Sequence, residues 1–363
     1  VFPVPDGDTG SNLSSMMYTI LEEAKVGNTT KETLQSIADA ALIGARGNSG
    51  IIFAQYISGM LETFPNEEEI TLEDFVTIAE GGVAYAYQAI SNPVEGTMIT
   101  VMKDWALALK SLKGQTKDFV EAFVHAFEAA KSSLLATTEK LKALKDANVV
   151  DAGAKGFVHF IEGILNFLRT GKSAEIITSH ETVEELSLDH TEADITYRYC
   201  TEALVSGSNI DIELLRKELS TFGDSLVLAG NSSKFRLHIH TNEPQDFFHS
   251  LRKYGTILQQ KADDMKMQHE AAHNRKYDIA IVTDSIADLP QEIIDSYQVY
   301  MVPMNILIDG VNYYDKLTVS SKNFYNILED VEHYPTSAQP NQKHLENFYS
   351  FLSTYYRNII TIT

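Results

Sequence analysis

The hydrophobic period of this chain changes once, near residue 172, and the change rules out a single uniform fold. Before it, apolar residues recur at helical spacing: "LSSMMYTILEEAKV" sets Leu13, Met16, Met17, Ile20 and Leu21 at i, i+3, i+4, i+7 and i+8. "KETLQSIADAALIGA", "LEDFVTIAEGGVAYAYQAI" and "FVEAFVHAFEAAKSSLLATTEKL" repeat the pattern, and strand-like alternation is almost missing. Residues 1–172 therefore read as a helical domain. Residues 173–194, "SAEIITSHETVEELSLDHTEAD", are acidic and weakly periodic and read as a linker with a short helix.

From 195 to 272 the pattern is mixed. "YRYCTEALV" and "FRLHIHT" alternate as strands, while "DIELLRKELSTFG" and "PQDFFHSLRKYG" read as helices, which gives a small α/β domain. From 277 to 363, strand, turn and helix repeat. "YDIAIVT" is a buried strand, and "DLPQEIIDSYQ" is a helix after Pro290. "YMVPMNILI" and "VNYYD" flank Asp309-Gly310, a type I′ hairpin signal, and "SSKNFYNILEDV" is a serine-capped helix. "NQKHLENFYSFLSTYY" is a last helix leading into "NIITIT". This alternation implies an α/β domain with a mostly parallel sheet. A chain of 363 residues also exceeds the usual size of one core. It begins at Val1 without methionine and ends on what reads as an unfinished strand, so a fragment of a longer protein is expected.

A net charge of −21 argues against nucleic acid or an anionic membrane surface as partner, since both need a basic footprint. The most apolar run, "GFVHFIEGILNFL", is too short to span a bilayer and carries His159 and Glu162, so no stable membrane insertion is expected. The single cysteine, Cys200, fits a reducing cytoplasm.

The glycine-rich breaks between helices hold the residues of chemical interest. "PVPDGDTGSN" places Asp6 and Asp8 one residue apart, where two carboxylates repel unless a cation lies between them. Magnesium suits such oxygen ligands and commonly takes one or two carboxylates plus phosphate oxygens. Thr9, Ser11 and Asn12 then begin a helix whose free N–H groups favour an anion. The alternative is a tight turn with Asp8 or Ser11 as N-cap. "GARGNSG", with Asn48 and Ser49 at a helix start, reads as a second anion site or as close helix–helix packing. "EGTMIT", with Thr97, and "VVDAGAKG", with Asp151 and Gly153, are further polar helix starts that ordinary capping also explains.

As an ordered set, these four stretches resemble the nucleotide-binding subunit of dihydroxyacetone kinases, in its bacterial fatty acid kinase branch. The resemblance covers about 1–172. It implies an all-α antiparallel eight-helix barrel with ATP and two Mg2+ at one end. Asp6 and Asp8 would then be the catalytic magnesium ligands. Thr9, Ser11, Asn12, Asn48 and Ser49 would lie near the phosphates, Thr97 beside the phosphate–metal cluster, and Asp151 and Gly153 near the nucleoside. The family's third aspartate, five residues before the first of the pair, is Val1 here.

In the middle domain, His238 and His240 share one face of a strand. With Cys200 they could supply zinc with three ligands and an open fourth position. Alternatively Leu237 and Ile239 face inward, while Arg236, His238 and His240 face solvent. "YRYCTE", "GDSLVLAG" and "LHIHTNEP" resemble the fatty acid kinase middle domain, which implies Zn2+ on Cys200, His238 and His240.

In the last domain, "IAIVTDSIADLP" places Thr283, Asp284 and Ser285 at the C-terminal end of a strand, where open α/β sheets bind ligands. "PTSAQPN" places Thr336 and Ser337 just ahead of a helix start, a place for a carboxylate. Ordinary capping explains these as well. The region resembles the first half of DegV proteins, which hold a fatty acid carboxylate with such hydroxyls. Ala338 and Asn341 depart from the usual wording.

The expected function is ATP-dependent phosphorylation of a fatty acid to an acyl phosphate, with the acyl chain presented by the fused DegV-like module. A small-alcohol kinase of the dihydroxyacetone type and a non-catalytic lipid sensor are the alternatives. The kinase family often pairs, so a homodimer is an expected assembly, and separate acyl-carrying DegV-like proteins are further expected partners.

Overall fold

The computed structural model describes residues 9–65, 69–172 and 195–363. The chain divides into two compact units: Val1–Asp194 with Val227–Gly230, and Ile195–Leu226 with Asn231–Thr363. The linker expected at 173–194 lies outside the described residues.

Among the described residues the first unit has eight helices: α1 (Thr9–Glu23), α2 (Thr30–Gly44), α3 (Gly47–Glu62), α4 (Leu72–Gln88), α5 (Met98–Ser111), α6 (Phe119–Lys140), α7 (Lys142–Ala147) and α8 (Ala152–Thr170). Local chemistry sets many of their ends. Thr29 accepts the N–H of Glu32 at the start of α2, Thr71 and Asp74 form a capping box on α4, and Asp118 caps α6. Asn148 after α7 and Gly171 after α8 take left-handed conformations that stop their helices. Each long helix packs on the next, α6 packs on α8, and α8 returns to α1 to close the ring. The six-residue α7 buries no side chain and lies against α6. The interior is aromatic: Phe157 meets Phe53, Tyr56 and Trp105 edge-on at 5.7, 5.5 and 5.9 Å. No helix among the described residues is long and apolar enough to cross a membrane.

The second unit begins with β1 (Tyr199–Ser206), α9 (Ile212–Leu219), β2 (Gly223–Gly230), β3 (Lys234–Thr241), α10 (Pro244–Leu251), β4 (Thr256–Asp264) and α11 (Met265–His273). The strands form one sheet in the order β2-β3-β1-β4, with β1 antiparallel to both β3 and β4. Next come β5 (Ile279–Asp284), α12 (Gln291–Tyr297), β6 (Val299–Val302), β7 (Asn305–Ile308), β8 (Val311–Tyr314), α13 (Ser321–Leu328), β9 (Thr336–Ala338), α14 (Gln342–Tyr355) and β10 (Asn358–Ile362).

The parallel sheet expected here is present, in the order β10-β5-β6. Its core is Ala280, Val282, Tyr300, Val302, Leu352 and Tyr356. A second sheet, β8-β7-β9, is antiparallel. "YMVPMNILI" is therefore two strands in two sheets. Pro303, which has no N–H to donate, falls between them. Asp309 and Gly310 make the hairpin turn with φ of 48° and 81°, the two positive values a type I′ turn needs.

Candidate functional site

Four helix heads meet in the first unit. Gly47 opens α3 in a left-handed conformation (φ 58°), and a Cβ there would stand 2.6 Å from Asn12 Nδ2 of α1. A Cβ on Gly153, in the first turn of α8, would stand 2.9 Å from Ser49 Oγ of α3 and 3.4 Å from Met98 Cβ of α5. Glycine at these two positions lets the backbones approach. Asn12, Ser49, Thr97 (through its neighbour Met98) and Gly153 are thus brought to one place. Gly44 does something else. A Cβ there would strike Thr19 Cβ at 2.5 Å, so it serves the packing of α1 on α2.

The heads differ in how their amides are satisfied. The N-caps of α3 and α5, Arg46 and Thr97, make no side-chain cap, and Thr97 Oγ1 instead donates to the Val94 carbonyl at 2.9 Å. First-turn N–H groups there lack a side-chain cap and, with the helix dipole, favour an anion. Asn48 Oδ1 is buried with no hydrogen-bond partner, an acceptor that a cation or a ligand donor, and not a phosphate oxygen, would satisfy. Thr9 and Ser11 sit in the first turn of α1, half-buried and exposed respectively. Arg46, half-buried at the head of α3, was passed over in the sequence. The signal was there, as the one cation inside "GARGNSG". Asp6 and Asp8 lie outside the described residues.

Asp151 is the exception among the heads. It is 2% exposed, and its Oδ1 accepts the N–H of Ala154 at 2.8 Å. The backbones of Met98 and Gly153 also bond to this carboxylate, and the Asp151 N–H donates to Thr137 Oγ1 of α6 at 3.0 Å. Burial pushes its carboxyl above the usual range against the pull of these amides. Asp151 thus clips α5 and α8 to α6. Its carboxylate oxygens are spent on backbone, which argues against direct contact with a nucleoside. Asp151→Ala should lower stability by about 1–3 kcal/mol in chemical denaturation, since buried N–H groups lose their acceptor. Asp151→Asn, which keeps an acceptor oxygen, should lose much less.

Beside this cluster, Glu95 accepts from Lys103 Nζ at 2.6 Å, Thr100 Oγ1 at 2.7 Å and the Tyr87 hydroxyl at 3.0 Å. The Lys103 ammonium, then Thr100, holds its carboxyl down at about 2. A folded-state value below the unfolded one means stabilisation that is present above the ordinary carboxylate range and fades as pH falls toward 2. The difference in denaturation midpoint between the wild type and Glu95→Gln should therefore be full at pH 7 and shrink steadily between pH 5 and pH 3. The difference will be small, because the pair is half exposed.

In the second unit a polar layer lies on one face of the four-stranded sheet. Cys200 of β1 stands opposite His240 of β3, and Glu202 stands opposite His238. His238 and His240 are 4% and 6% exposed and Arg236 1%, so the solvent-facing alternative for these three is wrong. Both faces of β3 are covered. Cys200 Sγ is 3.8 Å from His238 Nδ1, and the two Nε2 atoms are 3.1 Å apart. One ligand atom from each of Cys200, His238 and His240 lies within 4.8 Å of the others. Thiolate plus two imidazoles is a zinc donor set.

The field around the trio also suits a cation. Burial alone would keep His238 neutral, but Cys200 and Glu202 raise it to about 10, while burial and His238 push His240 down to about 3. With Cys200 ionised and both imidazoles neutral, Cys200, Glu202, Asp224 and Asp263 oppose Arg236 and Lys261, an excess of two negative charges that a divalent ion balances. Sequence reasoning missed Glu202, Arg236 and Lys261. Their signal was the i, i+2 recurrence of ionisable groups on β1, β3 and β4.

In the last part of the chain, Thr283 is buried at the end of β5, and Ser285 Oγ accepts the Met304 N–H at 3.1 Å. Thr336 and Ser337 do not sit at a helix start. They form the exposed edge strand β9, and α14 begins later, capped by Asn341. The two groups are linked through the chain, since Met304 bonds Ser285 and Asn305 pairs with Ala338.

Three family models match the chain in succession: the DAK2 domain over residues 3–166, the FakA-like middle domain of fatty acid kinases over 196–272, and the DegV family over 278–363. An uncharacterized protein of Staphylococcus epidermidis is 32% identical over 371 residues, which cover 95% of this chain and 66% of that one. One from Staphylococcus haemolyticus is 31% identical over 373 residues, with the same shares. The chain thus spans just under two thirds of the length of these relatives. A solved structure of DegV, a fatty acid binding protein from Bacillus subtilis, aligns with 23% of this chain and 30% of its own at 30% identity, with a TM-score of 0.23, an overlap too slight to build on. Matches to a DAK2 domain, a FakA-like middle domain and a DegV domain thus follow one another along the chain, a fatty acid kinase-like architecture.

Proposed function

We propose that the chain transfers the γ-phosphoryl group of ATP to a fatty acid carboxylate, yielding an acyl phosphate and ADP. The observation that carries this reading is the meeting of four helix heads, two of them without side-chain caps. Amides at the heads of α3 and α5, with the Asn48 amide and Ser49, hold the phosphates in this reading, while Thr97, its hydroxyl proton given to Val94, would offer only an acceptor oxygen to the accompanying cation. Asp151 and Gly153 fix the spacing of the heads rather than touching the nucleoside. A carboxylate oxygen attacks the γ-phosphorus, the bond to the β–γ bridging oxygen breaks, and ADP leaves with that electron pair. The acceptor, with a pKa of roughly 4–5, is already ionised at pH 7, so no general base is assigned. The demand is for positioning and for relief of charge repulsion. Magnesium on Asp6 and Asp8 would supply that relief.

In the middle domain, Cys200, His238 and His240 hold a structural zinc that ties β1 to β3. The burial of His238 and His240 supports a structural role over a catalytic one. Thr283, Ser285, Thr336 and Ser337 remain the proposed contacts of the acyl carboxylate.

The test incubates the full-length protein with ATP, magnesium and oleate and traps acyl phosphate as the hydroxamate. Hydroxamate formed in step with ADP supports the reading. ADP formed only with dihydroxyacetone would replace it with a small-alcohol kinase, and nucleotide binding without turnover on any acceptor would leave a lipid sensor. Sedimentation of the same sample, with and without a DegV-like protein, reads the expected homodimer and the acyl-carrying partner.

A further inference from the structure

Each imidazole of the middle-domain trio has a carboxylate on its Nδ1 side. Glu202 Oε1 is 3.7 Å from His238 Nδ1, which also has Cys200 Sγ 3.8 Å away, and Asp224 Oδ1 is 3.5 Å from His240 Nδ1. The two Nε2 atoms face each other at 3.1 Å. Two imidazole nitrogens that close leave no room for two lone pairs, so a proton or a cation has to lie with them. The carboxylates come from different strands, β1 and β2, and stand in different surroundings. Glu202 is 2% exposed and anchored by Arg236, 3.3 Å away, whose other arm donates to Gln259 Oε1 at 2.9 Å. Asp224 is 56% exposed in its side chain.

We propose that Glu202 and Asp224 are positioning residues that accept hydrogen bonds from the Nδ1–H groups of His238 and His240, so that both histidines offer Nε2 to a divalent metal. This rests on the zinc reading given above. A carboxylate on the far nitrogen fixes the tautomer, locks the ring plane and makes the ligating nitrogen more basic. Arg236 acts one step further back, holding Glu202 in its rotamer. Glu202, standing directly opposite His238 across the β1–β3 ladder, moves with the strand that also carries Cys200. One short strand segment therefore supplies both a ligand and the orienting group of another ligand. Lys261, opposite Glu202 on β4, keeps the extra carboxylate charge from going unopposed.

The test uses metal affinity and tautomer state and needs no turnover. The full-length protein is stripped with a chelator and reloaded with Zn2+ or Co2+. One Co2+ per chain, with a thiolate charge-transfer band that Cys200→Ser abolishes, is the expected wild-type result. Without it the zinc reading and this proposal both fall. Long-range 15N–1H spectra of the zinc-loaded protein should show both histidines bound through Nε2 with Nδ1 protonated.

Asp224→Asn, at an exposed side chain, should fold normally and lose affinity about 10-fold. Glu202→Gln should lose about 10–100-fold at unchanged stoichiometry. Where burying an unopposed Arg236 prevents folding, the double variant Glu202→Gln/Arg236→Gln takes its place. Spectra showing Nδ1 ligation at either histidine, or wild-type affinity in both the Asp224 and Glu202 variants, overturn the proposal while leaving the zinc reading intact.

Discussion

Gly223→Ala is expected to unfold the sheet that carries the metal trio. Gly223 opens β2, and a Cβ built there runs into the backbone carbonyl oxygen of His240, with Thr241 Cα close behind. Both obstacles are main chain, so no side chain can swing away to make room. Relief requires β2 to move off β3, which shifts His240 from its place opposite Cys200 and takes Asp224, the next residue, with it. Overpacking against rigid surroundings costs about 3 kcal/mol and at times more, and here the strain falls on the binding geometry as well. The measurement is a chemical denaturation curve with zinc content determined on the same sample. The expected result is a lower midpoint with zinc lost. Gly163→Ala is the control. A Cβ at that mid-α8 position meets nothing, so the variant should gain roughly 0.5–1 kcal/mol from helix propensity alone. A Gly223 variant as stable as the wild type and still holding metal would mean that Gly223 does not lie against the His240 carbonyl as described.

The second large effect is on turnover. Asp8→Asn should reduce hydroxamate formation by about a thousandfold or more. It removes a charge that, in the proposed reaction, holds the ion between two anions, and that ion's electrostatic share of a phosphoryl transfer is several kcal/mol. Nucleotide binding should weaken far less, because the amides at the heads of α3 and α5 stay in place. A loss of turnover with nucleotide affinity nearly kept is therefore the signature. Wild-type turnover in Asp8→Asn would remove both aspartates from the metal assignment.

The helical unit was legible because its apolar residues keep a 3.6-residue period, the strands β1 and β3 because theirs alternate, and β5 because it is a short apolar run. β4, "TILQQKADD", escaped recognition for a physical reason. Its Gln259, Lys261 and Asp263 share a half-buried face beside the polar layer, so the strand carries no apolar alternation to mark it. On β3 polarity and exposure part company, which hid the burial of Arg236, His238 and His240. In the first unit each polar helix start could be read by itself, but nothing in local spacing says that they converge. That follows from the close approaches at Gly47 and Gly153, which are tertiary. Asp151 is the sharpest case. At a helix start it read as a cap, the resemblance placed it near the nucleoside, and the structure adds the amides of α5 and α8 and the link to α6 around it. That Thr336 and Ser337, ahead of α14, form an edge strand was not legible, because the pairing of "TSA" with β7 is a long-range choice.

The convergence of helix heads in the first unit has an electrostatic consequence. Among the described residues α1, α3, α5 and α8 begin at one end, where Gly47 meets Asn12, Gly153 meets Ser49 and Met98, and Gly156 meets Leu13. Each head carries a partial positive charge of about half a unit, and heads that share an end add where opposed neighbours would cancel. In a chain with an overall charge of −21, backbone geometry thus supplies local positive potential that depends on no lysine or arginine.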